Sequence, residues 1–311
     1  MNWDVPASPW TPQTRALFLM LVTFWGFNYI FVNVGLQSAS PAWLAALRAL
    51  TGMLASVPIV FAFRAWGSLD RRDIRDAVLL GIPTTGVFFG LWFWAQRDVL
   101  PGVAAVVIYT FPLWVAIFSL PLLGHRLSLR HWGSVALGFA GVALISQVLV
   151  GGSNGVYLPA IAALLGAALS WGVATVLFQR RFRASQMIAA NFYQLLGGSS
   201  ALLAWTVVIA PVPGPKLDLG LAVTLLWMGV LGTAVAYGIW AMLLGRTRAA
   251  TVSAYLFLVP VITLAASAVI FGERLTYFQL AGVALVAGSI YGIGRAEGAS
   301  DPPRVGGPAP E

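Results

Sequence analysis

Ten long apolar stretches, separated by short polar segments, dominate the pattern of this chain. Each has about 20 mostly apolar residues, which is the length an α-helix needs to cross the hydrocarbon core of a bilayer. A backbone in lipid must satisfy its own hydrogen bonds, so each stretch is predicted to be helical. The pattern therefore predicts an all-α membrane protein with ten transmembrane helices, at residues 15–36, 41–63, 75–96, 101–123, 130–150, 156–179, 185–210, 218–244, 249–271 and 275–294.

The second half of the chain repeats the first with a shift of 148 residues. Five helices per half is an odd number, so the second repeat is predicted to be inverted in the membrane relative to the first. We predict a first repeat at 15–150, a second at 156–294, an N-terminal tail at 1–14 and a disordered C-terminal tail at 295–311. The matches include Gly81 with Gly229, Thr85 with Thr233, Trp92 with Trp240 and, with a shift of 146, Trp25-Gly26 with Trp171-Gly172.

Basic residues are distributed unevenly between the two sides of the predicted membrane. With a cytoplasmic N-terminus, fourteen of the 18 basic residues fall on the cytoplasmic side, three fall on the opposite side, and Arg48 lies inside a span. Basic residues in short loops stay predominantly in the cytoplasm. The sequence therefore predicts a multi-pass protein of the inner (cytoplasmic) membrane with both termini in the cytoplasm.

Composition narrows the functional classes further. With 59% hydrophobic and 9% charged residues, the chain is not an ordinary globular enzyme. The net charge of +8 includes no basic cluster interleaved with polar readout residues, so no nucleic-acid partner is expected. The one lysine, Lys216, is not part of a phosphate-cradling loop, which argues against ATP as the energy source. We expect no cofactor and no metal; the expected partners are a small-molecule substrate and the lipid bilayer, with the protein a monomer or weak dimer.

Each half contains a proline, eleven further residues and then Gly-x-Arg-Leu before a glycine-rich fifth helix. These segments run from Pro112 to Leu127 and from Pro260 to Leu275. Together with the Trp-Gly pairs, they resemble the drug/metabolite transporter superfamily, in particular its EamA-type ten-helix exporters. The aromatic pattern is most similar to the YddG-type aromatic amino-acid exporter group. The resemblance implies a carrier of small organic solutes, usually outward, that works by alternating access.

Polar groups beside aromatic rings are predicted to line a substrate cavity between helices one, three, four, six, eight and nine. Flat rings with a few hydrogen-bonding groups suit an apolar or zwitterionic solute. Alternatively, the rings only fill gaps between helices or, for Trp92 and Tyr237, anchor the protein at the membrane interface. The candidate substrate-binding residues are Trp25, Asn28, Tyr29, Thr85, Phe88, Trp92, Tyr109, Trp171, Thr175, Tyr237 and Ser253.

Arg48 and two prolines are the remaining candidates. A charge within a span indicates function by default, so Arg48 is a possible contact for a substrate carboxylate. Alternatively, it extends to the membrane surface or binds helix-end carbonyls. Pro112 and Pro260 each remove a helical hydrogen bond and are candidate hinges that would let each half open toward its own side, or else static kinks.

The sequence thus predicts a carrier that exports neutral amino acids with apolar or aromatic side chains, through rocking of its two halves. No carboxylate or imidazole lies at the centre of a predicted span, whereas proton relays usually need one, so a facilitator is favoured. A proton-coupled multidrug or other metabolite exporter is the main alternative. An intramembrane enzyme would need a nucleophile–base pair or metal ligands within the spans, and a channel or receptor is the other rival class.

Overall fold

The computed structural model describes residues 11–99, 104, 107–124, 127–145, 158–209, 213–271 and 275–297. Within these ranges the chain is helical and contains no strand. Most of the predicted N-terminal tail, the C-terminal tail from residue 298 and the connection 146–157 between the repeats lie outside the described residues. So do Arg126 and Arg274, two of the residues used to predict the orientation.

Ten helices follow one another in the described part of the chain. Six of them, α1, α2, α3, α6, α8 and α9, are long and apolar enough to cross a membrane. The helices α4 and α5, and the segment Tyr277–Ile293 of α10, are apolar but shorter. The helix α7 carries two buried polar side chains, Asn191 and Gln194. The bounds are α1 Pro12–Gly35, α2 Pro41–Ala62, α3 Arg71–Gln96, α4 Phe111–Leu123, α5 Leu129–Ile145, α6 Leu158–Arg181, α7 Met187–Ala204, α8 Leu219–Leu244, α9 Ala249–Tyr255 with Leu258–Phe271, and α10 Tyr277–Glu297.

Two helices begin earlier than hydropathy predicts, because capping side chains fix their first turns. The Thr11 hydroxyl accepts a hydrogen bond from the backbone N–H of Thr14, so α1 begins at residue 12 instead of 15. Asp70 and Asp73 form a reciprocal capping box, so α3 begins at residue 71 instead of 75. The first turn of α3 is charged, and an apolar window therefore missed it.

The helix packing has a pseudo-two-fold symmetry that exchanges each helix with the helix five positions later. The helix α1 packs on α9 as α6 packs on α4, and α2 packs on α8 as α7 packs on α3. The correspondence extends to single residues. Gly26 lies against Ile262, and Gly172 lies against Trp114, the equivalent of Ile262 at the 148-residue shift.

The direction of the equivalent helices α5 and α10 shows that the repeats are inverted. Near the start of α5, the Ser134 carbonyl accepts a hydrogen bond from the Ser289 hydroxyl (2.6 Å), near the end of α10. Toward the end of α5, Gly141 lies against Gly282, near the start of α10. The two helices are therefore antiparallel, and a symmetry that exchanges antiparallel helices turns one repeat upside-down relative to the other. The predicted inverted repeat is confirmed.

Eight helices form two bundles around the centre of the protein. One, the α1 bundle, contains α1, α2, α8 and α9; the other, the α3 bundle, contains α3, α4, α6 and α7. The bundles meet where α2 packs on α7 and where α4 packs on α9, while α5 and α10 pack on each other outside the two bundles. Each bundle takes helices from both repeats. The two sequence halves are therefore not separate bodies in the packing, because the inverted symmetry interleaves their helices, and the rocking motion stays a prediction.

Candidate functional site

A small cavity lies between the two bundles. Every side chain that lines it is buried, with an exposed fraction of 7% or less. The free space inside it is enough for about two water molecules. The lining residues are Trp25, Asn28, Tyr29, Arg48, Phe88, Trp92, Ile108, Tyr109, Phe111, Trp171 and Tyr237.

The two bundles give this cavity two chemically different sides. We call Asn28, Tyr29, Arg48 and Tyr237, which all belong to the α1 bundle, the polar wall. The α3 bundle contributes a second set that we call the aromatic wall: Phe88, Trp92, Phe111 and Trp171. The arrangement can therefore hold a molecule with one polar end and one apolar end.

The aromatic wall is a set of rings in direct contact. The Trp171 ring stacks on Phe88, with centroids 5.2 Å apart and an angle of 22° between the planes. Its centroid lies 4.4 Å from that of Phe111 and 5.3 Å from that of Trp25, which meets it edge-on. Trp240 lies behind these rings, 5.7 Å from Trp171 and 5.8 Å from Trp25. Because Trp92 and Tyr237 are buried at the centre, the interfacial alternative does not describe them.

Arg48 is the charged group of the polar wall, and its side chain is 1% exposed. Its Nε donates to the Thr233 hydroxyl (3.1 Å), its Nη2 donates to the Gly232 carbonyl (3.5 Å), and its guanidinium lies 4.3 Å from the centre of the Phe89 ring. Among the described residues, no carboxylate lies within ion-pair distance of Arg48, and its Nη1 has no hydrogen-bond partner. Because the Arg48 side chain is buried, it does not extend to the membrane surface. The alternative contact with a helix carbonyl is present, at Gly232.

Gly232 holds several groups of the polar wall in place. Its carbonyl accepts hydrogen bonds from both Arg48 and the indole N–H of Trp25 (3.1 Å). The amide of Asn28 lies directly against its Cα, where a Cβ would overlap it. Gly232 lies in a π-helical segment of α8, Leu226–Val235, and such wide turns recur at functional sites.

Two further polar atoms of this wall are buried without a hydrogen-bond partner in the described part of the chain. They are the amide oxygen of Asn28 and the hydroxyl of Tyr237. Tyr29, in contrast, is hydrogen-bonded to Tyr109 on the opposite bundle. Buried polar groups nearly always have partners. The unsatisfied atoms on Asn28, Arg48 and Tyr237 around one cavity are therefore available to a polar ligand.

Comparison with known proteins assigns the chain to a family. The EamA-like transporter family matches residues 14–147 and again 158–295, one match for each repeat. The chain belongs to the EamA-like transporter family. It is thus a multi-pass membrane transporter for a small-molecule substrate, as its resemblance to the drug/metabolite transporters predicted.

Individual relatives match this EamA-like transporter over most of their length. It is 28% identical to a probable amino-acid metabolite efflux pump of Salmonella typhimurium, with 88% of this chain and 92% of that protein covered. A protein of the same description from Escherichia coli is 27% identical, with 88% and 92% covered. The uncharacterized transporter YoaV of Bacillus subtilis is 23% identical, with 88% and 94% covered. A crystal structure shares the fold, with a TM-score of 0.76, 19% identity, and 91% of this chain and 98% of that chain covered.

Eight of the eleven predicted substrate-binding residues of this EamA-like transporter line the cavity, as does Arg48. Thr85, Thr175 and Ser253 do not; all three are buried elsewhere in the helix packing. Thr85 packs against Gly198 between α3 and α7. Its apolar helix gives no sign in the sequence of which face meets the cavity and which meets a neighbouring helix.

Sequence reasoning did not select two lining residues, Ile108 and Phe111. Both lie at a break in the fourth helix, where residues 109–110 form a turn before α4 begins. The signal available in the sequence was Pro112. A proline next to a helix break predicts that its neighbours leave regular helical packing.

Pro112 and Pro260 lie near helix starts instead of helix centres. Pro112 is the second residue of α4, and Pro260 is the third residue of the segment Leu258–Phe271, which follows a turn at residues 256–257. In the first turn of a helix the missing N–H of proline costs nothing. The predicted mid-helix bends are therefore short turns with hydrogen bonds between residues three apart, at nearly equivalent positions. Hinge motion at these breaks stays a prediction.

Proposed function

We propose that this transporter is a carrier that exports amino acids with apolar or aromatic side chains, and closely related amphipathic metabolites. The observation that supports this most directly is the unpaired Nη1 of buried Arg48 beside the aromatic wall. A substrate carboxylate would bind Arg48 through a charge-assisted hydrogen bond, while the apolar side chain would lie against Phe88 and Trp171. The description of two relatives as probable amino-acid metabolite efflux pumps agrees with this substrate class.

Transport would proceed by alternating access through rocking of the α1 bundle against the α3 bundle. The cavity lies between these bundles, so their separation on one side at a time would load and release substrate. The helix breaks before Pro112 and Pro260 lie at equivalent positions in the two bundles. They would allow both openings by equivalent motions. In this proposal both termini face the cytoplasm of the cell, as the basic residues predict.

We further propose that the carrier is a facilitator. None of the lining residues found in the described part of the chain is Asp, Glu or His, the groups that usually carry protons in coupled transporters. The substrate gradient, instead of a proton gradient, would then drive export. A multidrug exporter for organic cations fits less well, because the charge of Arg48 would repel a cationic drug.

The test is counterflow in proteoliposomes that contain the purified protein. Liposomes preloaded with an unlabelled amino acid should take up the same labelled amino acid, most rapidly for phenylalanine, leucine and their neighbours in size and polarity. Imposing a pH gradient at a clamped membrane potential should leave the rate unchanged. Strong acceleration by the gradient would contradict the facilitator. Absence of counterflow for every amino acid, with saturable transport of a cationic drug, would replace the proposal with multidrug export.

A further inference from the structure

The charges around the cavity do not balance. Arg48 is the one charged side chain among the lining residues that the structure identifies, and arginine stays protonated in proteins. Its contacts are the neutral Thr233 hydroxyl, the neutral Gly232 carbonyl and aromatic ring faces. Among the described lining residues the cavity thus holds a net positive charge, and an unpaired buried charge is unfavourable. An anionic substrate would supply the balancing charge.

A zwitterionic amino acid would not supply that balance. Its carboxylate would neutralise Arg48, but its ammonium group would bring a second positive charge into the same small, water-poor space. The groups available to receive the ammonium are neutral: the unpartnered amide oxygen of Asn28 and the ring faces of the aromatic wall. They can accept a hydrogen bond, yet they cannot cancel the charge, and two cations in a medium of low polarity repel each other strongly.

We propose that the cavity selects net monoanions, that is, substrates with a carboxylate and an apolar body but no ammonium group. Hydroxy-acid, oxo-acid and N-acylated counterparts of apolar amino acids belong to this class. This inference rests on the proposed function, because it uses the same carboxylate contact at Arg48. The preferred substrate is then a relative of the amino acid whose amino group is acylated or absent, instead of the amino acid itself. The amide oxygen of Asn28 would then accept from a hydroxyl or an amide N–H.

Selection of a monoanion also supplies a driving force for export. The cytoplasmic membrane of a living cell is negative inside, and 100 mV acting on one elementary charge corresponds to a concentration ratio of about 50-fold. A monoanion would be driven outward by this potential without any proton-carrying side chain in the cavity. A zwitterion carries no net charge, so the membrane potential would not drive it in either direction. Net outward transport by a facilitator therefore follows from the charge of the substrate.

The experiment compares three compounds with the same phenyl ring and nearly the same size. Labelled 3-phenyllactate (a monoanion), phenylalanine (a zwitterion) and phenethylamine (a cation) are each loaded into proteoliposomes, and initial efflux is measured at 0 and 100 mV, inside negative. We expect phenyllactate efflux at least 10-fold faster than that of phenylalanine and accelerated by the potential, with no carrier-mediated efflux of phenethylamine. Protein-free liposomes provide the passive leak.

Each outcome bears on a different proposal. Phenylalanine efflux equal to or faster than phenyllactate efflux, without dependence on potential, would overturn the monoanion inference and leave the proposed function standing. Saturable phenethylamine efflux would overturn the inference as well. If neither phenylalanine nor phenyllactate is transported, both the monoanion inference and the proposed function fail.

A matched pair of arginine variants tests the role of Arg48. Arg48→Gln should slow phenyllactate efflux about 100-fold, because loss of a buried hydrogen-bonded charge pair commonly has an effect of this size. Arg97→Gln is the control, since Arg97 lies at the surface and pairs with Asp98. If Arg48→Gln does not fold, Arg48→Lys keeps the charge and should retain the preference for phenyllactate over phenylalanine. A folded Arg48→Gln variant with unchanged preference, or an Arg48→Lys variant without it, would overturn the inference.

Discussion

At two pairs of equivalent positions the repeats carry the same tryptophan, whereas the polar groups that line the cavity differ. Trp25 and Trp171 occupy equivalent positions in α1 and α6, and both line the cavity. Arg48, however, corresponds to Gln194 when Gly52 is aligned with Gly198, the glycine that makes the equivalent contact, and Gln194 does not line the cavity. Tyr29 corresponds to Thr175, which does not reach the cavity. The repeats therefore share the framework of the site, whereas most of its hydrogen-bonding chemistry belongs to the α1 bundle.

Glycine contacts explain how the framework stays symmetric. Gly52 of α2 packs against Thr233 of α8, and Gly198 of α7 packs against Thr85 of α3, in both cases without room for a methyl group. The shared packing would let the two bundles open in equivalent ways. The difference in polar groups would hold the polar end of a substrate against the α1 bundle in every conformation. In the proposed mechanism, symmetric motion and asymmetric binding would therefore depend on different residues.

The largest effect that we expect on the shared framework comes from Trp171→Ala. Loss of a central ring that contacts Phe88, Phe111 and Trp25 should slow transport about 30-fold, the size typical of a buried tryptophan at a binding centre. The transport rate is measured as efflux from proteoliposomes, normalised to the amount of folded protein. Trp205→Ala is the control, since that ring is 52% exposed, and it should change the rate less than about 2-fold. An unchanged rate for Trp171→Ala at normal expression would remove this residue from the site.

A pair of threonine variants tests the asymmetry directly. The Thr233 hydroxyl accepts a hydrogen bond from Arg48, whereas the hydroxyl of its equivalent, Thr85, has no partner among the described residues. Thr233→Val should weaken the apparent affinity for a carboxylate substrate about 10-fold. Thr85→Val should leave affinity unchanged and slightly raise thermal stability, because it removes an unsatisfied buried hydroxyl. Equal losses in both variants would show that the two repeats contribute alike to binding.

A smaller difference is expected between the contacts that connect helix ends within each bundle. In the α3 bundle, Arg181 of α6 pairs with Asp73 (2.6 Å) and Asp76 (2.8 Å) of α3. In the α1 bundle, the Ser38 hydroxyl donates to Asp218 (2.6 Å). Arg181→Gln should lower stability by about 1 kcal/mol at low salt, and high salt should erase this difference from the wild type. Ser38→Ala should show no such salt dependence in thermal unfolding; a similar salt response would contradict the comparison.

The smallest expected effect depends on pH. The hydrogen bond from Ser38, followed by that from the Leu221 N–H, holds the pKa of Asp218 below its ordinary 3.8. A depressed pKa in the folded state contributes stability that is present above the ordinary pKa and is lost as the pH falls through the folded value. Asp218→Asn should therefore lower Tm at pH 7 by about 2 °C. The difference from the wild type should shrink below pH 4, and a difference that instead grows with acidification would contradict this assignment.

Much of the fold was predictable because lipid imposes simple constraints. A bilayer demands long apolar helices, and an odd number of them per repeat forces inversion; the antiparallel packing of α5 and α10 confirms that inversion. Tryptophan and arginine within spans marked Trp25, Trp171 and Arg48 as candidates, and the structure places all three on the cavity. The capped start of α3 was missed because side-chain hydrogen bonds, and not hydropathy, decide where it begins.

The remaining features were decided by tertiary packing. Hydropathy cannot separate a helix face that meets lipid from one that meets a neighbouring helix, since both surroundings are apolar. For that reason the sequence could not place Thr85, Thr175 and Ser253 outside the cavity or include Ile108 and Phe111 in it. Nor could it show that Gly232 binds both Arg48 and Trp25, because this contact joins residues about 200 positions apart in the chain.

The sequence by itself determined that the protein lies in a membrane, that it has ten helices, that it contains a repeat and which residue types form the site. Each of these follows from local composition or from spacing along the chain. Only the tertiary structure decided that the helices of the two repeats interleave into an α1 bundle and an α3 bundle, with most of the polar groups of the cavity on the α1 bundle. The physical reason is that helix association in an apolar solvent depends on close steric fit and a few buried hydrogen bonds. These are properties of pairs of distant residues, and a hydropathy pattern does not record them.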